Sequence, residues 1–146
     1  MISNIKIKTI NKEISSIVID EPKTYNSLSF QNLLDLLKAL KKLDIDKKVK
    51  VIIIEGSGKG FSAGHNLKEV RGLKQKAKYQ KLFNLCSKVM LQIVEGRKPV
   101  IAKVHGAAFA AGCQLVASCD LAYSTKEALF ATPGVNIGLF CSTPMV

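Results

Sequence analysis

The chain has 146 residues, 47% of them hydrophobic and 23% charged. That length suits one domain burying roughly two-thirds of the surface its unfolded form exposes, and only 10 Gly and 4 Pro argue against a disordered or fibrous class. No apolar run approaches the ~18 residues of a membrane span, and the formal charge is +11 from 22 basic and 11 acidic residues.

Ile5-Lys6-Ile7-Lys8-Thr9-Ile10 alternates strictly, as a half-buried strand does. Asn11-Lys12-Glu13 is turn chemistry and residues 14–20 return as a second strand, so a hairpin is expected. Residues 21–26 read as loop. Ser27 or Ser29 can cap a helix whose apolar positions are Phe30, Leu33, Leu34, Leu37 and Leu40. Residues 49–55 form an apolar strand expected to be covered on both faces. A glycine-rich loop follows over 56–64. Tyr79, Leu82, Phe83, Cys86, Met90 and Ile93 mark a long amphipathic helix, stopped by Lys98-Pro99 ahead of a core strand over 100–104. A run of small residues, 106–112, leads into a short helix around 114–118, with short strands at 121–123 and 129–131. This alternation predicts an α/β fold with crossover connections.

The cysteines, at 86, 113, 119 and 141, form no C-x-x-C, and no His stands at a matching spacing. Free thiols in a reducing compartment are expected, and no metal site. Of the 22 cations 20 are lysine, Arg71 and Arg97 being the exceptions, and there is no Trp. Nucleic-acid readers interleave Arg and aromatics, so a solvated basic surface is the preferred reading. The first residues carry no apolar secretory segment and no Arg-rich presequence. A cytoplasmic location is expected, with the mitochondrial matrix as the alternative for a eukaryotic source.

Three motif readings compete after residue 55. The P-loop and the G-x-G-x-x-G fingerprint both fail on spacing. Gly60-Phe61-Ser62-Ala63-Gly64 does match G-x-S-x-G, the nucleophile elbow of α/β-hydrolases. That chemistry needs an acid and then a His further along, and only Glu69, Glu95 and His105 are on offer, so the match is set aside. What remains is a construction used twice: a strand runs into glycine and small residues, and a helix begins. Such a junction leaves backbone N–H groups unpaired at the positive end of a helix. Two side by side can aim two donors at one oxygen, an oxyanion hole. Tight helix–sheet packing would explain either junction alone.

Several segments resemble the enoyl-CoA hydratase/isomerase, or crotonase, superfamily. Phe61-Ser62-Ala63-Gly64-His65-Asn66-Leu67-Lys68 is similar to its F-[SAC]-A-G-x-[DN]-L-K segment. Residues 98–106, Lys-Pro-Val-Ile-Ala-Lys-Val-His-Gly, resemble its K-P-V-I-A-x-V-x-G strand. Ala110-Ala111-Gly112-Cys113-Gln114-Leu115, with Cys119-Asp120, resembles its G-G-G-C-E-L…C-D helix. Residues 130–139 resemble its F-x-x-P-E…x-G segment and residues 22–28 its P-x-x-x-N-A-L segment. Within the superfamily, Gln114 and the run 131–144 look most like the enoyl-CoA hydratase domain-containing protein 3 subgroup, linked with lipid metabolism.

The resemblance implies a ββα superhelix, here an N-terminal portion over 1–146, that takes acyl-CoA thioesters as substrate and needs no separate cofactor. It implies that the backbone N–H groups of His65 and Ala111 form the oxyanion hole. It places Ala63, Asn66, Leu67 and Lys68 along the CoA-binding stretch, with Lys23 near a CoA phosphate. A homotrimer or hexamer is implied for full-length members. Two departures follow. The family's two catalytic glutamates fall on Gln114 and Gly134, so standard hydratase activity is not expected; Glu69 is the nearest substitute acid. The family's chain also runs roughly 100 residues further, through the helices that cover the acyl pocket and build the trimer, so an incomplete C-terminus is expected. The reading is therefore an acyl-CoA-binding protein of lipid metabolism. The alternatives are a non-catalytic interaction or RNA-binding module and an inactive truncated fragment.

Overall fold

A computed structural model describes residues 3–138, the side chain of Ile137 excepted. The expected hairpin forms: β1 (Ile5–Thr9) pairs antiparallel with β2 (Ile14–Ile19), Asn11 Oδ1 accepting from the amides of Glu13 and Ile14 in the turn. β2 then pairs in parallel with β3 (Val51–Gly56), β3 with β5 (Val100–Val104), and β5 with β7 (Leu121–Ser124). Among the described residues these five strands form one sheet in the order β1-β2-β3-β5-β7.

Helices α1 (Phe30–Ile45) and α3 (Lys76–Val94) pack on each other and on one face of this sheet. Ser29, not Ser27, caps α1: its hydroxyl accepts from the Asn32 amide at 3.2 Å. Leu33, Leu36 and Leu40 from α1 and Leu82, Val89 and Ile93 from α3 meet Ile17, Ile19, Ile52 and Ile54 in the core. Only one face of β3 is fully covered among the described residues. Ile52 and Ile54 are buried while Val51, Ile53 and Glu55 are half-buried, because both long helices lie on the same side. The covering expected on both faces is thus corrected.

The glycine-rich stretches are not plain loops. Each contains a short strand: β4 (Gly60–Ser62) and β6 (Ala107–Phe109), joined in parallel and extended by β8 (Leu129–Ala131). They form a separate sheet in the order β4-β6-β8. The sequence marks β8, expected at 129–131, but passes over β4 and β6, because three residues are too few to show alternation. Helix α4 spans Ala111–Ala117, three residues earlier at its start than the sequence suggests, and a further helix, α2 (Leu67–Gly72), was not expected.

Candidate functional site

The two small-residue junctions leave the second sheet, not the core strands. Because β4, β6 and β8 run parallel, the segments that follow them emerge at one end of the sheet: 63–66 after β4, 110–111 after β6, and 132–134 after β8. These carry Ala63, His65, Asn66, Ala111 and Gly134. The fold therefore gathers at one end of the sheet residues that lie up to 71 positions apart in the chain (134 minus 63).

Glycine makes the close approach feasible. A Cβ placed on Gly64, whose φ is +84°, would stand 3.0 Å from Ala111 N and 2.8 Å from the Phe109 carbonyl oxygen. A Cβ on Gly112 would run into the Ser62 carbonyl. The start of α4 is thus seated directly on the β4 segment, backbone against backbone. Ala111 is the first residue of α4, so its N–H has no intrahelical acceptor.

A strap built by residues 21–28 fixes the other side. Ala63 N donates to Tyr25 O at 2.9 Å and Leu28 N to Gly64 O at 2.7 Å. Asn26 is fully buried with φ +56°, a conformation its short polar side chain tolerates. Its Nδ2 donates to Ser57 O and Gly60 O, each at 2.7 Å, while its Oδ1 accepts from Glu21 N at 2.9 Å. Asn26 is the Asn of the P-x-x-x-N-A-L resemblance over 22–28, but the carbonyls it clamps lie outside that run. Ser62 is buried too, its hydroxyl donating to Asn26 O at 2.9 Å and accepting from Gly64 N at 3.2 Å. It serves the backbone, while His105 faces Gly58 O, so the hydrolase match has no catalytic geometry.

The His65 side chain is packed inward. Nδ1–H donates to Leu28 O at 3.3 Å, and the ring meets Phe83 edge-on at 5.2 Å. Burial holds its pKa below the ordinary 6.5, against the opposing pull of the Leu28 carbonyl and the Glu69 carboxylate. Asn66 caps α2, its side chain accepting from the amides of Lys68 (3.1 Å) and Glu69 (3.2 Å). Leu67 and Lys68 are exposed on α2, and Lys23 is exposed on the short turn Pro22–Thr24. Gln114 is half-buried in α4, its backbone N–H donating to Ala110 O at 3.0 Å. Gly134 is buried in the 3-10 turn Pro133–Ile137 and is not among the positive-φ glycines.

The Glu69 carboxylate accepts from the Phe30 amide at 2.9 Å. It anchors the first turn of α1, a structural role beside its expectation as the nearest substitute acid. Asp120 pairs with the Val100 amide at 2.7 Å. Burial pushes the Cys86 thiol up to about 11 and, with help from Asp120, Cys119 up to about 12. Cys141 lies outside the described residues. Among them, no group of three or more His, Cys, Asp or Glu could hold a metal ion, and no helix is long and apolar enough to cross a membrane.

The family model for enoyl-CoA hydratase/isomerase matches residues 9–145. The chain belongs to the enoyl-CoA hydratase/isomerase family. It is 48% identical over 133 residues to human enoyl-CoA hydratase domain-containing protein 3, mitochondrial, covering 91% of this chain and 44% of that protein. To the mitochondrial enoyl-CoA hydratase of Pongo abelii it is 36% identical over 128 residues, covering 88% and 43%. The crystal structure of an enoyl-CoA hydratase from Mycobacterium smegmatis superposes with a TM-score of 0.93 at 45% identity, covering 97% of this chain and 55% of that one. The structure of human enoyl-CoA hydratase domain-containing protein 3 gives 0.91 at 45% identity with the same coverage. The crotonase fold expected from the sequence is therefore the fold of this chain, which spans about half the length of the relatives it matches.

Proposed function

We propose that the chain carries the thioester-binding half of an acyl-CoA site, in which the amides of His65 and Ala111 hold the thioester oxygen. The observation that supports this most is the seating of Gly64 against Ala111 N, which brings the residue before His65 against the start of α4. Ala63, Asn66, Leu67 and Lys68 would border the CoA moiety, and exposed Lys23 would meet a phosphate. CoA enters as part of the substrate, and the reading calls for no separate cofactor. Relatives named as mitochondrial enoyl-CoA hydratases support a place in lipid metabolism and a mitochondrial location.

Two amide donors polarise a carbonyl without moving a proton. Hydration of an enoyl thioester also needs a base for water and an acid for carbon. At the family's glutamate positions Gln114 orients a water but takes no proton, and Gly134 offers only backbone. Each missing proton carrier is worth ~10²–10⁴ in rate. Hydration of crotonyl-CoA is therefore expected near background in this chain or any longer parent. Gln114→Glu with Gly134→Glu should raise it well beyond either change alone, because the two groups act together. The 3-10 conformation at Gly134 sets no φ penalty against the replacement. Enoyl absorbance reads the rate, and titration with a nonhydrolysable acyl-CoA reads the cleft. Wild-type turnover in the ordinary range of ~1–10³ s⁻¹ would overturn the assignment of roles, and no acyl-CoA binding by a longer parent would overturn the site.

A further inference from the structure

Helix α2, the connection after it and the first turns of α3 carry six cations in fourteen residues: Lys68, Arg71, Lys74, Lys76, Lys78 and Lys81. All six are exposed, and among the described residues none of them forms an ion pair. The only acid in the stretch is Glu69, whose carboxylate is held by the α1 amide of Phe30. The charge is interleaved with apolar surface. Leu67 is 57% exposed, Phe83 46% and Phe30 38%. A groove of about 290 Å³ opens between the helices, lined by Phe30, Leu73 and Leu82 with Lys78, Lys81 and the amide-bound Glu69.

We propose that this α2–α3 face docks the protein on an anionic lipid surface. A concentrated basic face draws anionic headgroups. Lysine stems lie along apolar surface while their ammonium groups reach out to phosphate, and an exposed leucine such as Leu67 enters the headgroup boundary. The face suits RNA less well. Base stacking needs open aromatic faces, and here Phe83 is engaged with His65 while Phe30 borders the groove. Because α2 starts two residues after His65, docking would hold the site at the sheet end close to the lipid. The docking itself does not depend on what that site binds.

Vesicle flotation of the full chain tests this, since protein that merely aggregates does not float. Binding is expected to vesicles of phosphatidylcholine with phosphatidylserine, and not to phosphatidylcholine alone. Each lysine near such a surface contributes up to about fivefold. Lys74→Gln, Lys76→Gln, Lys78→Gln and Lys81→Gln together should therefore lower the partition coefficient ~10²-fold or more. The control is a variant with the same net charge, Lys41→Gln, Lys47→Gln, Lys48→Gln and Lys50→Gln, expected to lose less than about threefold through the weak long-range field. Equal losses in the two variants would show a general charge effect and overturn the proposal. So would binding indifferent to phosphatidylserine, or loss of single-stranded RNA binding in the first variant with flotation unchanged.

Discussion

Ala110 holds φ 48° and ψ −119° immediately ahead of α4. That is the conformation of the first central residue of a type II′ turn, which glycine normally occupies, and the family's segment has glycine there. A Cβ in this region stores strain of order 1–3 kcal/mol. Ala110→Gly should therefore raise stability by about 1 kcal/mol, or about 2–4 °C in thermal midpoint, with the gain partly offset by glycine's larger unfolded-state entropy. Calorimetry checks it, and an unchanged or lower midpoint would show that the strain is relieved elsewhere. His65 gives a pH signature. Its folded pKa lies below the ordinary 6.5, so between the two values the unfolded chain binds the extra proton and stability rises with pH. The contribution is complete above about 6.5 and is lost as pH falls towards the folded value. Thermal midpoints measured from pH 7.5 downward should fall through this window in the wild type, and by less in His65→Gln.

Helix starts organise the elements around the site. Ser29 caps α1, Asn66 caps α2, and the Glu69 side chain of α2 reaches back to the Phe30 amide of α1. That last bond couples the helix after the sheet end to the helix that covers the core. A carboxylate on a first-turn amide also meets the positive end of the α1 dipole. Glu69→Ala should cost about 1 kcal/mol, and Glu69→Gln less, since an amide oxygen still accepts. Urea denaturation reads both. Acyl-CoA affinity should change little in either, whereas a proton-transfer role for Glu69 would instead show as a fall in rate with stability intact.

For the whole molecule, apolar side chains collect on the last strands. Leu121 is 54% exposed, Tyr123 68%, Leu129 61%, Phe130 48% and Val135 59%. Strand β7 stands at the end of its sheet among the described residues, so its outer backbone edge adds unpaired donors and acceptors to this surface. Exposed apolar side chains beside an open strand edge favour association. The chain should self-associate with rising concentration in sedimentation velocity, and Leu121→Lys with Tyr123→Lys should shift it towards monomer. A wild-type monomer that stays monodisperse across the range would refute this.

The two long helices, the hairpin and the two core strands β3 and β5 could be read from the residues alone, because apolar period and capping chemistry are local properties spread over many positions. The family was legible as well, since its motifs are short runs in a set order. Strand β8 was legible at 129–131, but three-residue strands β4 and β6 were not, having too little length for a period, and neither was α2, whose cap at Asn66 sat inside a motif. Why a glycine must stand at 64 or 112 depends on what lies opposite it, Ala111 and Ser62, which no run of sequence records. The same holds for Glu69 and Asn26: their types were visible, but their partners lie 39 and up to 34 residues away. Residue type and order decided which fold forms; only the tertiary packing decided which amides and carboxylates meet, because those contacts join chain segments that local pattern cannot relate.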